Sequence, residues 1–254
     1  MALFTDGPIS SIEDLTAQDS QLLNVASVEG IDVTQKIALA QEQVEMDLIG
    51  ALKRLGWADQ LLWQSPRPQL DMVVITPSLK LWHTALSLNL VYADAFNSQL
   101  NDRYAGKRDQ FQELARWAYG KLIEIGLGVA GTPLPKPAVP TVTPFPGTLA
   151  DNLYYVTMTW VNRGGQEGSP ATATTFAATS STFLVEPAPA PTAATGWNVY
   201  IGLSPDAMYL QNSSPLSTGQ TWEQPASLVQ TGRLPGKGQM PDYLRPLPRI
   251  LQRG

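Results

Sequence analysis

Apolar residues recur at steps of three and four through the first half of the chain, and at steps of two through much of the second. That pattern predicts helices followed by strands. Ser10 with Glu13, or Ser11 with Asp14, makes a capping-box signal that opens a short helix, with Ile12, Leu15, Leu22 and Leu23 available for packing before Gly30 ends the unit. Asp32 is placed to cap the next helix. Its apolar positions are Val33, Ile37, Ala40, Val44, Leu48, Ala51 and Leu55, an amphipathic rod of roughly 35 Å with Gly56 at its end. Thr76 and Pro77 start a third helix, with Leu79, Trp82, Leu86, Leu90, Ala93, Phe96 or Asn97, and Leu100 at helical spacing. Asn101 or Asp102 starts the last, whose stripe is Tyr104, Phe111, Leu114, Ala118, Leu122 and Ile125, with Gly126 and Gly128 as stops. Short links between such helices predict an antiparallel bundle.

The second half changes period. Tyr154, Val156, Met158 and Trp160 share one face of a strand, with Tyr155, Thr157 and Thr159 on the other. Asn162 to Gly168 is a Gly-rich turn. Phe183–Glu186 and Trp197–Ile201 read as further strands, and Met208–Gln211 with Gln220–Glu223 reads as a hairpin around residues 213–219. Strands at this spacing, between Pro-, Gly-, Ser- and Thr-rich turns, predict a seven-strand sandwich.

Charge sharpens the division. Residues 1–130 hold 16 acidic and 10 basic side chains and four of the 21 prolines, whereas residues 131–254 hold 6 acidic, 7 basic and the remaining prolines. The expected organisation is α+β and multidomain: an N-terminal helical bundle over 1–130, a Pro-rich linker over 131–137, a fibronectin-III- or Ig-like all-β module over 138–232, and an extended basic C-terminal arm over 233–254. The arm sets Arg233, Lys237, Arg245, Arg249 and Arg253 against Asp242 alone. Its prolines forbid regular helix or a central strand, yet Met240, Tyr243, Leu244, Leu247, Ile250 and Leu251 are too apolar for a solvated tail. Met240, Tyr243, Leu244, Arg245, Arg249, Ile250, Leu251 and Arg253 are therefore expected to dock on a protein partner. Contact of the basic residues with DNA phosphates is the weaker alternative.

Composition removes most catalytic chemistry. No cysteine means no thiolate nucleophile, disulfide or Cys-bound metal, and one histidine leaves His83 alone to serve any Ser-His arrangement. No cofactor is expected. Gly126 to Gly131 has dinucleotide-like spacing, but it follows a helix and runs into prolines; the glycines at 164–168 lack the Gly-Lys-Ser/Thr ending of a phosphate loop. Glu42, Glu45 and Asp47 read as a solvated helix face, and His83 as an edge-of-core residue. Tyr154, Tyr155, Trp160, Trp197, Tyr200, Tyr209 and Trp222 could stack on sugars or fill a core. No signal peptide or membrane span is expected from the pattern.

The segments Met72–His83, Leu90–Ala95 and Asn101–Tyr104, with the exit from Gly126 to Pro135, resemble the helical core of tailed-phage head-to-tail adaptor proteins. The β part, through Tyr154–Val156, Asn162–Pro170, Gly196–Tyr200 and Trp222–Pro225, resembles fibronectin-III-like or Ig-like modules of virion proteins. This resemblance implies a structural, non-enzymatic protein of the virion neck, assembled in the host cytoplasm. It implies a homo-oligomeric ring, usually dodecameric, that joins the portal protein to tail, nozzle or other neck proteins and has passing contact with genomic DNA in its channel. A carbohydrate- or cell-surface-binding tail protein is the alternative, and a cell-wall hydrolase a third, lacking a motif.

Overall fold

The computed structural model describes residues 1–59, 69–98 and 102–245. The fold is α+β. Among the described residues the helices are α1 (Ile12–Gln18), α2 (Leu22–Glu29), α3 (Val33–Asp59), α4 (Pro77–Ser98) and α5 (Ala105–Ile125). The chain forms two compact units: Gly7–Val129 with Asp242–Gly254, and Met1–Asp6 with Ala130–Pro241.

In the helical unit, α4 packs against α3 on one side and α5 on another. The predicted first helix is two helices, because the Asp19 carboxylate accepts the Gln21 N–H at 3.1 Å and reverses the chain between α1 and α2. Of the two capping registers, Ser11 and Asp14 form the box. Ser10 turns inward and is buried. Gly30 closes α2 in the left-handed conformation, φ +67°.

The buried side of α3 is the expected one: Val33, Ile37, Ala40, Val44, Leu48 and Ala51. The stripe expected on α4 is not. Leu79 and Trp82 are buried as foreseen, but the rest of the core face is His83, Ala85, Leu88, Val91, Tyr92 and Ala95, while Leu86, Leu90, Ala93 and Phe96 are only half-buried. A helix covered by neighbours on several sides buries more than one stripe, so spacing alone cannot choose its phase. Trp82 meets Tyr119 at 4.8 Å between ring centroids, and Tyr92 stacks on Phe111 at 5.5 Å.

Gly126, φ +103°, lets the chain leave α5 directly into a strand, β1 (Leu127–Val129), which the sequence pattern had shown only as a helix stop. Val73 bridges Val129, and the Val74 N–H donates to the Gly128 carbonyl at 2.9 Å.

The β unit contains β2 (Thr141–Pro146), β3 (Asn152–Asn162), β4 (Thr174–Ala178), β5 (Ser181–Glu186), β6 (Ala194–Gly202), β7 (Tyr209–Leu210), β8 (Leu216–Ser217) and β9 (Trp222–Glu223). One antiparallel sheet runs β2-β5-β9; the other runs β4-β3-β6-β7, with β8 also on β6. Their inner faces share a core of Tyr154, Val156, Met158, Trp160, Phe183, Val185, Trp197, Val199 and Ile201. The face expected on β3 is therefore the core face. The expected 208–223 hairpin does not form: β7 pairs with Tyr200 and Ile201, β9 with Leu184 and Val185 in the other sheet. The reason is Leu216, anchored opposite Trp197 on β6, so the chain crosses between sheets after it.

Residues 131–137 are not a spacer. Leu134 is fully buried in the β core, its N–H donates to Gln239 Oε1 at 3.1 Å, and the Lys136 N–H donates to Asp6 at 2.7 Å. Residues 1–6, assigned by their position to the helices, join the β unit because Asp6 also accepts the Ser169 hydroxyl at 2.7 Å.

Candidate functional site

The C-terminal arm is not a single free segment. Its first part is held to the β unit. The Arg233 guanidinium pairs with Glu167 and lies 2.8 Å from the Tyr200 hydroxyl, and Gln239 Nε2 donates to the Thr132 carbonyl at 3.0 Å and to Gln166 at 2.7 Å. Met240 follows, 60% exposed. Tyr243, Leu244 and Arg245 then form β10 (Tyr243–Arg245), antiparallel to β1 with Val129 opposite Tyr243 and Leu127 opposite Arg245. The backbone of these three residues is thus engaged within their own chain. Proline brackets the strand: Pro241 before it and Pro246 after it lack the N–H that would extend the ladder. The side chains of Tyr243 and Leu244 stay 38% and 48% exposed. Arg249, Ile250, Leu251 and Arg253 lie outside the described residues.

The helices carry a surface that core periodicity does not explain. On α3, Leu39, Met46 and Ile49 are exposed, Met46 by 65%. At about 100° per residue they fall, with Glu42, on the side of the helix turned away from its buried stripe. Glu42 and Glu45 have no ion-pair partner among the described residues. On α5, Trp117 is exposed, while Phe111, Ala115, Ala118 and Leu122 form the buried side. The sequence signal for this second apolar face is Leu39, Met46 and Ile49 at steps of seven and three, weaker than the stripe on the opposite side.

Three polar clusters are inside, and each is closed. His83 is fully buried. Its Nε2 lies 3.2 Å from the Ile37 carbonyl, which can only accept, so Nε2 carries the proton and Nδ1 accepts the Ser10 hydroxyl at 2.9 Å. Ser10 Oγ is in turn 2.8 Å from the Thr84 hydroxyl. Burial lowers the His83 pKa to about 4, against smaller raising effects of the Ile37 carbonyl and Asp14. This is a Ser-His pair without an accessible nucleophile: it ties the N-terminal segment to α3 and α4. Asp19 accepts the Tyr92 hydroxyl at 2.6 Å and Lys107 Nζ at 3.1 Å. Burial pushes its carboxyl up, but these bonds and the Gln21 N–H outweigh it and hold the pKa below the usual value.

In the β unit, Glu167 accepts from Thr159, from Asn198 Nδ2 at 3.0 Å and from the Tyr200 hydroxyl at 2.6 Å, and it pairs with Arg233. Burial, and then the bond to Glu167, push the Tyr200 phenol upward. The cluster cross-links β3 and β6 to the Gly-rich turn and the start of the arm.

Of the seven aromatic residues that could stack on sugars, Tyr155, Tyr209 and Trp222 are half-buried. Tyr154, Trp160, Trp197 and Tyr200 are buried, and the Trp197 indole N–H is shared by the Ser217 and Gln220 carbonyls at 3.1 Å each. Two hollows are shallow: about 250 Å³ beside Asp14, Pro77 and Lys80, and about 180 Å³ beside Gly202, Ser204 and Tyr209. Both are below the usual size of a small-molecule site. Among the described residues, no group of three His, Asp or Glu side chains gathers at metal-binding distance, and no helix is long and apolar enough to cross a membrane. No family model matches the sequence, and no curated protein and no solved structure is measurably similar to it.

Proposed function

We propose that the chain is a structural head-to-tail adaptor of a tailed-phage virion, a ring, dodecameric by resemblance, that joins the portal to the tail and continues the DNA channel. The observation that carries this reading is the second apolar face of the helical unit: Leu39, Met46 and Ile49 on α3, and Trp117 on α5, outside a core that is already complete. An apolar face on a finished domain suits contact with another protein, and where it meets a different face of the next copy the association is heterologous, giving a ring when the rotation closes. The excess of acidic residues in 1–130 suits a DNA conduit, because like charge keeps the duplex from adhering to the wall.

The β unit is read as a fibronectin-III- or Ig-like module. Two antiparallel sheets on one core, with the order β4-β3-β6-β7 facing β2-β5-β9, support that reading. Tyr154, Trp160 and Trp197 serve the core, which favours an architectural module over a glycan-binding one. The segment offered to a neighbouring protein of the neck is the part of the arm beyond β10, with Arg249, Ile250, Leu251 and Arg253. Negative-stain electron microscopy and sedimentation of the purified chain test the reading. Closed rings are expected, and a monomer at every concentration up to the solubility limit removes it.

A further inference from the structure

We infer that the outward stripe of α3 in one copy packs antiparallel on the Trp117 face of α5 in the next copy, so that each of the two bare faces of the helical unit covers the other. The inference rests on the adaptor reading and names the partner of each face.

Gly120 singles out the α5 face. It lies inside a helix of 21 residues, three residues beyond Trp117, where glycine is disfavoured relative to alanine. A Cβ at Gly120 would meet nothing within 4 Å, and its φ is not positive. The single chain therefore gives no reason for a glycine there. Beside Trp117, 54% exposed, Gly120 leaves a strip of uncovered backbone next to a large ring. A side chain from outside can approach such a strip closely.

The α3 stripe fits this surface. At about 100° per residue, the exposed Met46 and Ile49 share a side of α3 with the exposed Lys53. With the helices antiparallel and Ile49 level with Trp117, Met46 comes level with Gly120, since each is one step of three residues away, about 4.5 Å. In the same register Lys53 comes level with Glu113, and Glu45 with Lys121. Lys53, Glu45 and Glu113 have no ion-pair partner among the described residues. Lys121 also holds Glu124, which comes level with Glu42, and so screens that like-charge pair. A parallel arrangement would set Lys53 against Lys121 and Glu45 against Glu113. Charge therefore selects the antiparallel one.

The contact belongs to two copies, because Met46 and Trp117 are both uncovered within one chain. The two faces differ, so the association runs from copy to copy and ends where the rotation closes. Pairing of α3 with itself across a two-fold axis would leave Trp117 and Gly120 bare.

Sedimentation of the full chain and its variants tests the contact, with circular dichroism melting to confirm the fold. Gly120→Leu fills the strip without touching the core; it is expected to keep or raise the melting temperature and to weaken association about tenfold or more. Lys53→Glu and Glu113→Lys should each weaken association about three- to tenfold, and the double variant should recover it to within about twofold. Undiminished association of Gly120→Leu overturns the inference. So does rescue of Lys53→Glu by Glu42→Lys in place of Glu113→Lys, which marks α3 pairing with itself. An oligomer indifferent to all these variants removes this inference alone, whereas a monomer in the unaltered chain removes the adaptor reading with it.

Discussion

At the residue scale, the buried polar groups divide by what stands around them. His83 is neutral in the fold and protonates freely once unfolded, near its ordinary value of 6.5. A lowered folded-state pKa means that stability is full above about pH 6.5 and is lost as the pH falls toward about 4. The gap corresponds to roughly 3 kcal/mol. Urea unfolding at about pH 7 and about pH 4.5 is expected to show this loss, and His83→Gln should flatten it; an unchanged pH slope in the variant would sink the assignment. Glu167 makes the contrast between buried and exposed charge. Glu167→Ala strands Tyr200, Asn198 and Thr159 and is expected to cost about 3–5 kcal/mol. Arg233, whose side chain is 55% exposed, should cost about 1 kcal/mol or less as Arg233→Ala. Denaturant midpoints of the two variants check the order.

Among the elements, β10 shows how little sequence a strand needs when its slot is buried. Leu127, Gly128 and Val129 are covered, so their backbone groups require partners; the four residues between Pro241 and Pro246 supply them on one side and Val74 on the other. If the arm were only a docking tail, truncation after Leu234 would leave both units folded. The structure leads to a different outcome: that truncation removes β10 from β1 and Gln239 from Thr132 and Leu134. Hydrogen exchange is expected to accelerate at 127–134 in the truncated chain while the α4 amides keep their protection. Unaltered exchange at 127–134 would show that the strand contributes nothing. The prolines of β2 have the opposite role. Pro144 and Pro146 sit in a strand paired only with β5, where missing N–H groups leave the free edge a poor template for another strand.

For the whole molecule, the two ends of the described chain are exchanged: residues 1–6 belong with the β unit and residues 242–245 with the helices. Neither unit is a continuous stretch of chain. A fragment cut after residue 130 therefore keeps α1 to α5 but loses the strand that covers β1. It is expected to melt below the helical transition of the full chain, as followed by circular dichroism. Equal melting temperatures would mean that the serial division is energetically adequate.

What the sequence determined by itself is whatever depends on near neighbours. The three-four spacing from Val33 to Ala51, the period of two from Tyr154 to Trp160 and the turn at Gly30 are local, and each appears in the fold as the pattern predicts. The absence of cysteine and the single histidine are likewise properties of the list of residues. The tertiary structure decided the rest. It chose which side of α4 is buried, because a helix with neighbours on several sides has no single apolar stripe. It separated β7 from β9, because strands of two residues carry too little pattern to name a partner. It also gave Tyr243–Arg245 to β1, a pairing across more than a hundred residues. Contacts of that range depend on where the whole chain goes, and no window along the sequence contains both ends.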